Sequence, residues 1–145
     1  MSKIIDCITF FNENFIFELR YKILEKVVDQ FVVCESKYDL KIDKKELNFK
    51  KENYNNLKIK YIILEEKFPK KNNRWQNQAY QRDYMLKKLD YLEKDDYIFF
   101  SDPDEIMNPD ILKNFKLSKK YGIFLQKFFN YKLNLYNPYE SPWEG

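Results

Sequence analysis

Short apolar runs alternating with segments of helical spacing constrain this chain more than any other feature. Ile4 to Phe11, Phe31 to Ser36, Lys58 to Leu64 and Tyr97 to Phe100 are rich in Ile, Val, Phe and Tyr, with the length and composition of buried strands. Between the first two, the chain from Phe15 to Val27 takes helical spacing. Ile16, Leu19, Ile23 and Val27 form its apolar stripe, Arg20 and Leu24 lie beside it, and Asn12 or Asn14 is placed to cap its start. Between the third and fourth, Trp75 to Leu92 reads as a second helix burying Trp75, Ala79, Leu86, Leu89 and Leu92. Asn108-Pro109-Asp110 has the cap, proline and acid of a helix start, for a short helix to about Phe115, and Gly122 to Leu135 reads as a final strand or bent pair. This order predicts an α/β fold with a mainly parallel central sheet, in one domain spanning residues 1–145.

Ligands of such sheets bind outside the C-terminal strand ends, and three ends here are polar: Asn12-Glu13, Glu35-Ser36 and Asp102 to Glu105. Asp102 and Asp104 are the sharpest signal. In an extended segment, side chains two residues apart point the same way, roughly 6 to 7 Å apart at about 3.3 Å per residue. Pro103 between them fixes φ and biases Ser101-Asp102 toward extended geometry. Two carboxylates with open positions suit Mg²⁺ or Mn²⁺ holding a substrate diphosphate. The Lys-rich stretch from Lys37 to Asn56 reads instead as a solvated surface loop, with a short strand at Leu47 to Phe49.

Composition narrows the chemistry. The chain has no His, so acid–base work falls to carboxylates, Lys or Tyr. A net charge of only +3, with the signs interspersed, implies neither a nucleic acid partner nor a membrane surface. Cys7 and Cys34 lie inside strand-like runs and read as buried free thiols of a reducing compartment. No run is long enough to span a membrane and Asp6 interrupts any signal-like segment, so a cytoplasmic protein is expected. With Gly122 and Gly145 its only glycines, the chain has no Gly-rich phosphate loop, which weighs against a nucleotidyl or phosphoryl transferase using the same aspartates.

Three segments in order, Phe10-Phe11-Asn12-Glu13, Val27-Val28-Asp29 with Phe31-Val32-Val33-Cys34-Glu35-Ser36, and Asp95-Asp96 leading through Ile98 to Asp102, Asp104, Glu105 and Ile106, resemble glycosyltransferase family 17. The resemblance implies a three-layer, Rossmann-like GT-A fold and an inverting transfer of a GlcNAc-like sugar from a UDP-sugar to a glycan or polysaccharide acceptor. By the same resemblance Asp102 and Asp104 match the D-x-D pair for Mn²⁺ or Mg²⁺, with Glu105 supporting them. Glu35 would face the uracil, and Gln81-Arg82-Asp83 resembles the Arg-bearing helix beside the nucleotide. Asn12 and Glu13 complete the expected nucleotide-sugar site. Family members acting on N-glycans carry a membrane anchor, and none is seen here, which turns the expected acceptor toward a microbial or viral surface glycan. The family continues well beyond the D-x-D pair, whereas only residues 105–145 follow it here, so a GT-A fold short at its C-terminal end is expected. A general base must then come from few acids, of which Glu144 is the candidate. The alternative is a non-catalytic or half-complete nucleotide-sugar-binding domain that needs a partner chain or a missing C-terminal part for its acceptor site.

Overall fold

The computed structural model describes residues 2–117, 119–130 and 135–144, the side chains of Trp143 and Glu144 excepted. The chain forms two compact units, Met1–Asp104 and Glu105–Gly145.

The first unit is an α/β layer structure. Its strands β1 (Ile4–Phe10), β2 (Gln30–Ser36), β3 (Ile59–Leu64) and β4 (Tyr97–Phe100) form one all-parallel sheet in the order β3-β2-β1-β4. This is the sheet expected of a Rossmann-like GT-A fold. Parallel pairing needs long crossovers, and two of them carry the helices α1 (Asn14–Leu24) and α2 (Arg74–Leu86).

Alternation along the strands assigns each helix a face. Ile5 and Cys7 of β1, Val32 and Cys34 of β2 and Ile62 of β3 pack with Met85 and Leu89 at and beyond the end of α2. The opposite face carries Asp6, Phe31, Glu35 and Tyr61. There α1 brings in Phe17, whose ring meets Phe31 and Phe49 edge-on at centroid distances of 6.1 and 5.1 Å. Edge-to-face pairs of this kind add about 0.5–1.5 kcal/mol each beyond their burial.

Both helices turn inward a different stripe from the one their apolar residues predict. In α1 the buried residues are Phe17, Arg20 and Leu24, so an arginine stands in the stripe while Ile23 is exposed. In α2 they are Asn77, Gln81 and Met85, while Trp75 and Leu86 face solvent. Helix α2 begins with a full capping box between Asn73 and Gln76 and ends at Leu86, short of Leu92. Helix α1 has Glu13 at its N-cap with no side-chain cap, because the Glu13 carboxylate accepts from the Phe11 and Asn12 amides ahead of the helix; Asn14, its first residue, donates to the Asn48 carbonyl at 2.9 Å. Strand β4 is a half-exposed edge strand rather than a buried one, with Ile98 and Phe100 exposed.

In the second unit Asn108 caps the short helix α3 (Pro109–Leu112), accepting from the Asp110 amide at 2.9 Å, and the helix stops short of Phe115. Of the final strand or bent pair expected from Gly122 to Leu135, the described residues show β5 (Leu125–Gln126), which pairs antiparallel with β6 (Trp143–Glu144), and an antiparallel bridge between Phe129 and Tyr136. Residues 131–134 of that expected strand lie outside the described residues. No helix among the described residues is long and apolar enough to cross a membrane.

Candidate functional site

The C-terminal ends of the parallel strands open onto a cleft of about 630 Å³ within the first unit. Thr9, Phe10 and Phe11 at the end of β1, Ser36 at the end of β2, and Asp102 to Asp104 after β4 all line it. A crevice in this position is what open parallel sheets provide.

Asp102 and Asp104 therefore share one cavity, but not through the extended geometry expected of them. Strand β4 stops at Phe100, and Pro103 and Asp104 already lie in a turn. Helix α2 reaches this turn from the side, where Arg82 Nη2 donates to Asp102 Oδ1 at 2.9 Å with both side chains about half exposed. The chemistry of the pair fits a divalent cation: Mg²⁺ and Mn²⁺ keep several waters and accept one or two carboxylates when substrate phosphates complete the shell. Among the described residues no group of three or more acidic or thiol side chains is gathered into a cage.

The remaining expected site residues separate into those on the cleft and those behind it. Glu13 lines the cleft, and its Oε2 accepts from the Phe11 and Asn12 amides at 2.8 and 2.9 Å, so the carboxylate braces its own turn. Asn12 is exposed beside it and Asp83 is exposed on α2; neither is a cleft residue. Glu105 opens the second unit.

Glu35 stands behind the wall, fully buried. Its Oε1 accepts from Lys45 Nζ at 2.5 Å and the Asn48 amide at 2.8 Å, and its Oε2 from the Phe49 amide at 3.1 Å and the Tyr61 hydroxyl at 2.7 Å. Four donors use the acceptor capacity of a carboxylate, and Glu35 thereby fastens the 45–49 segment to β2 and β3. Burial, then the hydrogen bond to Glu35, then the charge of Glu35, push the Tyr61 hydroxyl above its ordinary pKa. Glu144 lies in β6 opposite Leu125, and its side chain is outside the described residues.

The loop after β2, expected to be solvated surface, instead supplies one wall: Tyr38, Asp39, Leu40, Lys41 and Lys45 line the cleft. Asp39 Oδ1 organises it by accepting from the Lys41 and Asp43 amides at 2.8 and 2.9 Å. The loop passes through a left-handed residue, Ile42 at φ 73°, which is costly for a β-branched side chain. Asn77 of α2 donates to the Leu40 carbonyl at 3.2 Å, and Gln81 to the Cys34 carbonyl at 2.8 Å. These two bonds explain the polar stripe of α2: its inner face ties down the backbone at the end of β2 and in the loop beyond. Arg74 and Gln78 of the same helix line the cleft.

The cleft thus carries both signs of charge, with Asp102 and Asp104 after β4, Glu13 and Asp39 elsewhere, and Lys41, Lys45 and Arg74 among its other lining residues. Lys45 is tied to Glu35, and no ion pair is seen for Lys41 or Arg74 among the described residues. The loop could have been found from topology alone, because a loop that leaves the C-terminal end of a parallel strand borders the crevice whatever its composition.

Searches of curated proteins and of solved structures give no significant match. The sequence profile of glycosyltransferase family 17 matches residues 1–141, nearly the whole chain, and the protein belongs to that family.

Proposed function

We propose that this glycosyltransferase uses a UDP-sugar donor and a divalent cation, Mn²⁺ or Mg²⁺, and transfers a GlcNAc-like sugar with inversion to a glycan or polysaccharide acceptor. The observation that carries the metal and the diphosphate is that Asp102, Asp104, Lys41 and Arg74 line one cleft at the C-terminal edge of a parallel sheet. UDP and inversion follow from the family resemblance. Asp102 and Asp104 would hold the cation, which when bound neutralises charge on the departing diphosphate. Lys41 and Arg74 set positive charge toward the same anion, and Arg82 holds Asp102 in place from α2.

Calorimetry of UDP binding tests this reading. Affinity should require Mn²⁺ or Mg²⁺, because carboxylates and diphosphate repel one another without it. Equal binding in EDTA, or metal-dependent binding that survives Asp104→Asn, refutes the assignment.

A second reading, a donor-binding half that transfers poorly alone, is favoured by the state of the other carboxylates on the cleft. Glu13 and Asp39 are both engaged by amides of their own loops, which leaves the acceptor base unassigned in the first unit. Steady-state kinetics separates the two. Turnover on the order of 1 to 10 per second with a glycan acceptor supports a complete enzyme, and its loss in Glu144→Gln would make Glu144 the base.

A further inference from the structure

Arg20 is the largest fully buried side chain among the described residues, set in a stripe of α1 where an aliphatic residue would pack without cost. Its guanidinium is completely used. Nε donates to Asp6 Oδ2 at 2.7 Å, Nη2 to Asp6 Oδ1 and to Ser101 Oγ at 2.6 Å each, and Nη1 to the carbonyls of Asp102 at 3.0 Å and Pro103 at 3.3 Å. The five N–H groups of an arginine all find acceptors here. Asp6 is itself buried in the middle of β1, paired in register with Phe31 and Phe99.

Stability alone does not account for this arrangement, since well-packed apolar residues often replace a buried ion pair at no loss. What the arrangement does is local to the turn. The carbonyls of Asp102 and Pro103 lie past the last residue of β4, beyond the reach of the sheet's own ladder. The Pro103 carbonyl belongs to the peptide that leads into Asp104, and the Asp102 carbonyl to the one that leaves Asp102. We infer that Arg20 is a positioning residue: oriented by Asp6, it holds the backbone between Asp102 and Asp104 and so fixes both carboxylates on the cleft. A lysine could not do the same, because its three donors radiate from one point and cannot span a carboxylate, a hydroxyl and two carbonyls. The metal part of this inference rests on the proposed function; the tie between Arg20 and the turn does not.

The experiment compares the wild-type chain with the charge-neutral variant Asp6→Leu/Arg20→Met and with Arg20→Lys. Three measurements are made on each: thermal unfolding, hydrogen exchange at the Ser101, Asp102 and Asp104 amides, and calorimetric affinity for UDP with Mn²⁺ beside uridine without metal. In the neutral variant we expect cooperative unfolding to persist and exchange at the turn to accelerate by about tenfold or more while β2 amides keep their protection. Affinity for UDP with Mn²⁺ should fall by about 10- to 100-fold, as for other residues that orient metal ligands, with uridine binding unchanged. Wild-type exchange and wild-type affinity in that variant overturn the inference, as does faster exchange with undiminished affinity. Should the neutral variant fail to fold, Arg20→Lys, which keeps a charge for Asp6, takes its place: faster exchange at the turn with weaker UDP binding supports the inference, and wild-type values for either overturn it. If the wild-type chain binds no UDP with Mn²⁺, the proposed metal site falls, and exchange at the turn decides the role of Arg20 by itself.

Discussion

Glu35→Gln separates a carboxylate that reads the nucleotide from one that holds the fold. The new amide keeps one acceptor oxygen, which can stay with Lys45 and the Asn48 amide, where two of the four donors converge. Its NH₂ then faces the Tyr61 hydroxyl, which can turn to accept, and the Phe49 amide, which cannot. A stranded buried amide costs about 1–3 kcal/mol. Lys45, only 12% exposed, meanwhile loses its counter-charge, and breaking a buried pair in this way costs about 3–5 kcal/mol. Because a neutral hydrogen bond survives on the Lys45 side, the expected total is about 3–4 kcal/mol. That is a large part of the 5–15 kcal/mol typical of a domain, and on the order of 10 °C in Tm. Urea unfolding followed by tryptophan fluorescence measures the loss, and calorimetry on the folded protein measures UDP affinity, which should stay within about twofold. Stability within 1 kcal/mol of wild type together with a roughly tenfold loss of UDP affinity would refute the structural role and return Glu35 to the uracil.

Arg82→Ala should cost less than about 1 kcal/mol of stability, because its pair with Asp102 is half exposed. By calorimetry with Mn²⁺ it should weaken UDP more than uridine, since Arg82 holds Asp102, a proposed ligand of the cation that meets the diphosphate; equal loss for both ligands counts against that role. Ile42→Gly relieves a left-handed β-branched residue, worth about 1–2 kcal/mol, against about 0.5–1 kcal/mol of added chain entropy. A net gain of about 0.5–1 kcal/mol in urea is expected, and a loss would show that the Ile42 side chain contributes packing. Burial raises the thiol of Cys34 to about 12 and that of Cys7 higher still, from an ordinary value of 9.0. The folded chain thus retains protons that the unfolded chain gives up, so the thiols' contribution is complete below pH 9 and is lost above it, at up to about 1.4 kcal/mol per pH unit for each thiol. Alkaline unfolding compared between wild type and Cys34→Ala measures the slope, and prompt reaction of the native protein with a thiol reagent at pH 8 would contradict the burial.

Backbone order was legible in the sequence and side-chain roles were less so, for identifiable reasons. Strand positions followed from β-rich runs, and β1, β2 and β3 fall within a residue or so of their expected bounds. The helix faces misled because the inward stripes contain Arg20, Asn77 and Gln81, polar groups that serve backbone at the strand ends, while Trp75 and Ile23 are left outside. Apolar periodicity assumes that the buried side of a helix is oily, and that assumption fails beside a polar cleft. The place of Asp102 and Asp104 on the cleft is legible because paired carboxylates after an apolar strand are conspicuous. The place of Lys41 and Arg74 on the same cleft is not legible, because single cations in Lys-rich segments are inconspicuous. Glu35 was noticed for being a carboxylate at a strand end, but whether it turns toward the cleft or is taken up by Lys45, Tyr61 and two amides depends on a segment ten or more residues away.

The position of β4 in the sheet bears on the order in which the protein assembles. Strands β1, β2 and β3 follow one another in the chain and lie side by side, so each pairing closes one crossover. Strand β4 comes last yet joins β1 on the far side, where Ile4 meets Tyr97, so its closure encloses nearly everything made before it. Closing that loop is entropically the most expensive step, and a four-residue edge strand with a single neighbour returns the least for it. A chain emerging from the ribosome can therefore complete β1 to β3 before the segment carrying Asp102 exists, and the cleft acquires Asp102 and Asp104 only when β4 docks. Substitutions at Ile98 or Phe100 that weaken this docking would slow the appearance of donor binding during refolding while leaving the earlier burial of Cys34 on schedule.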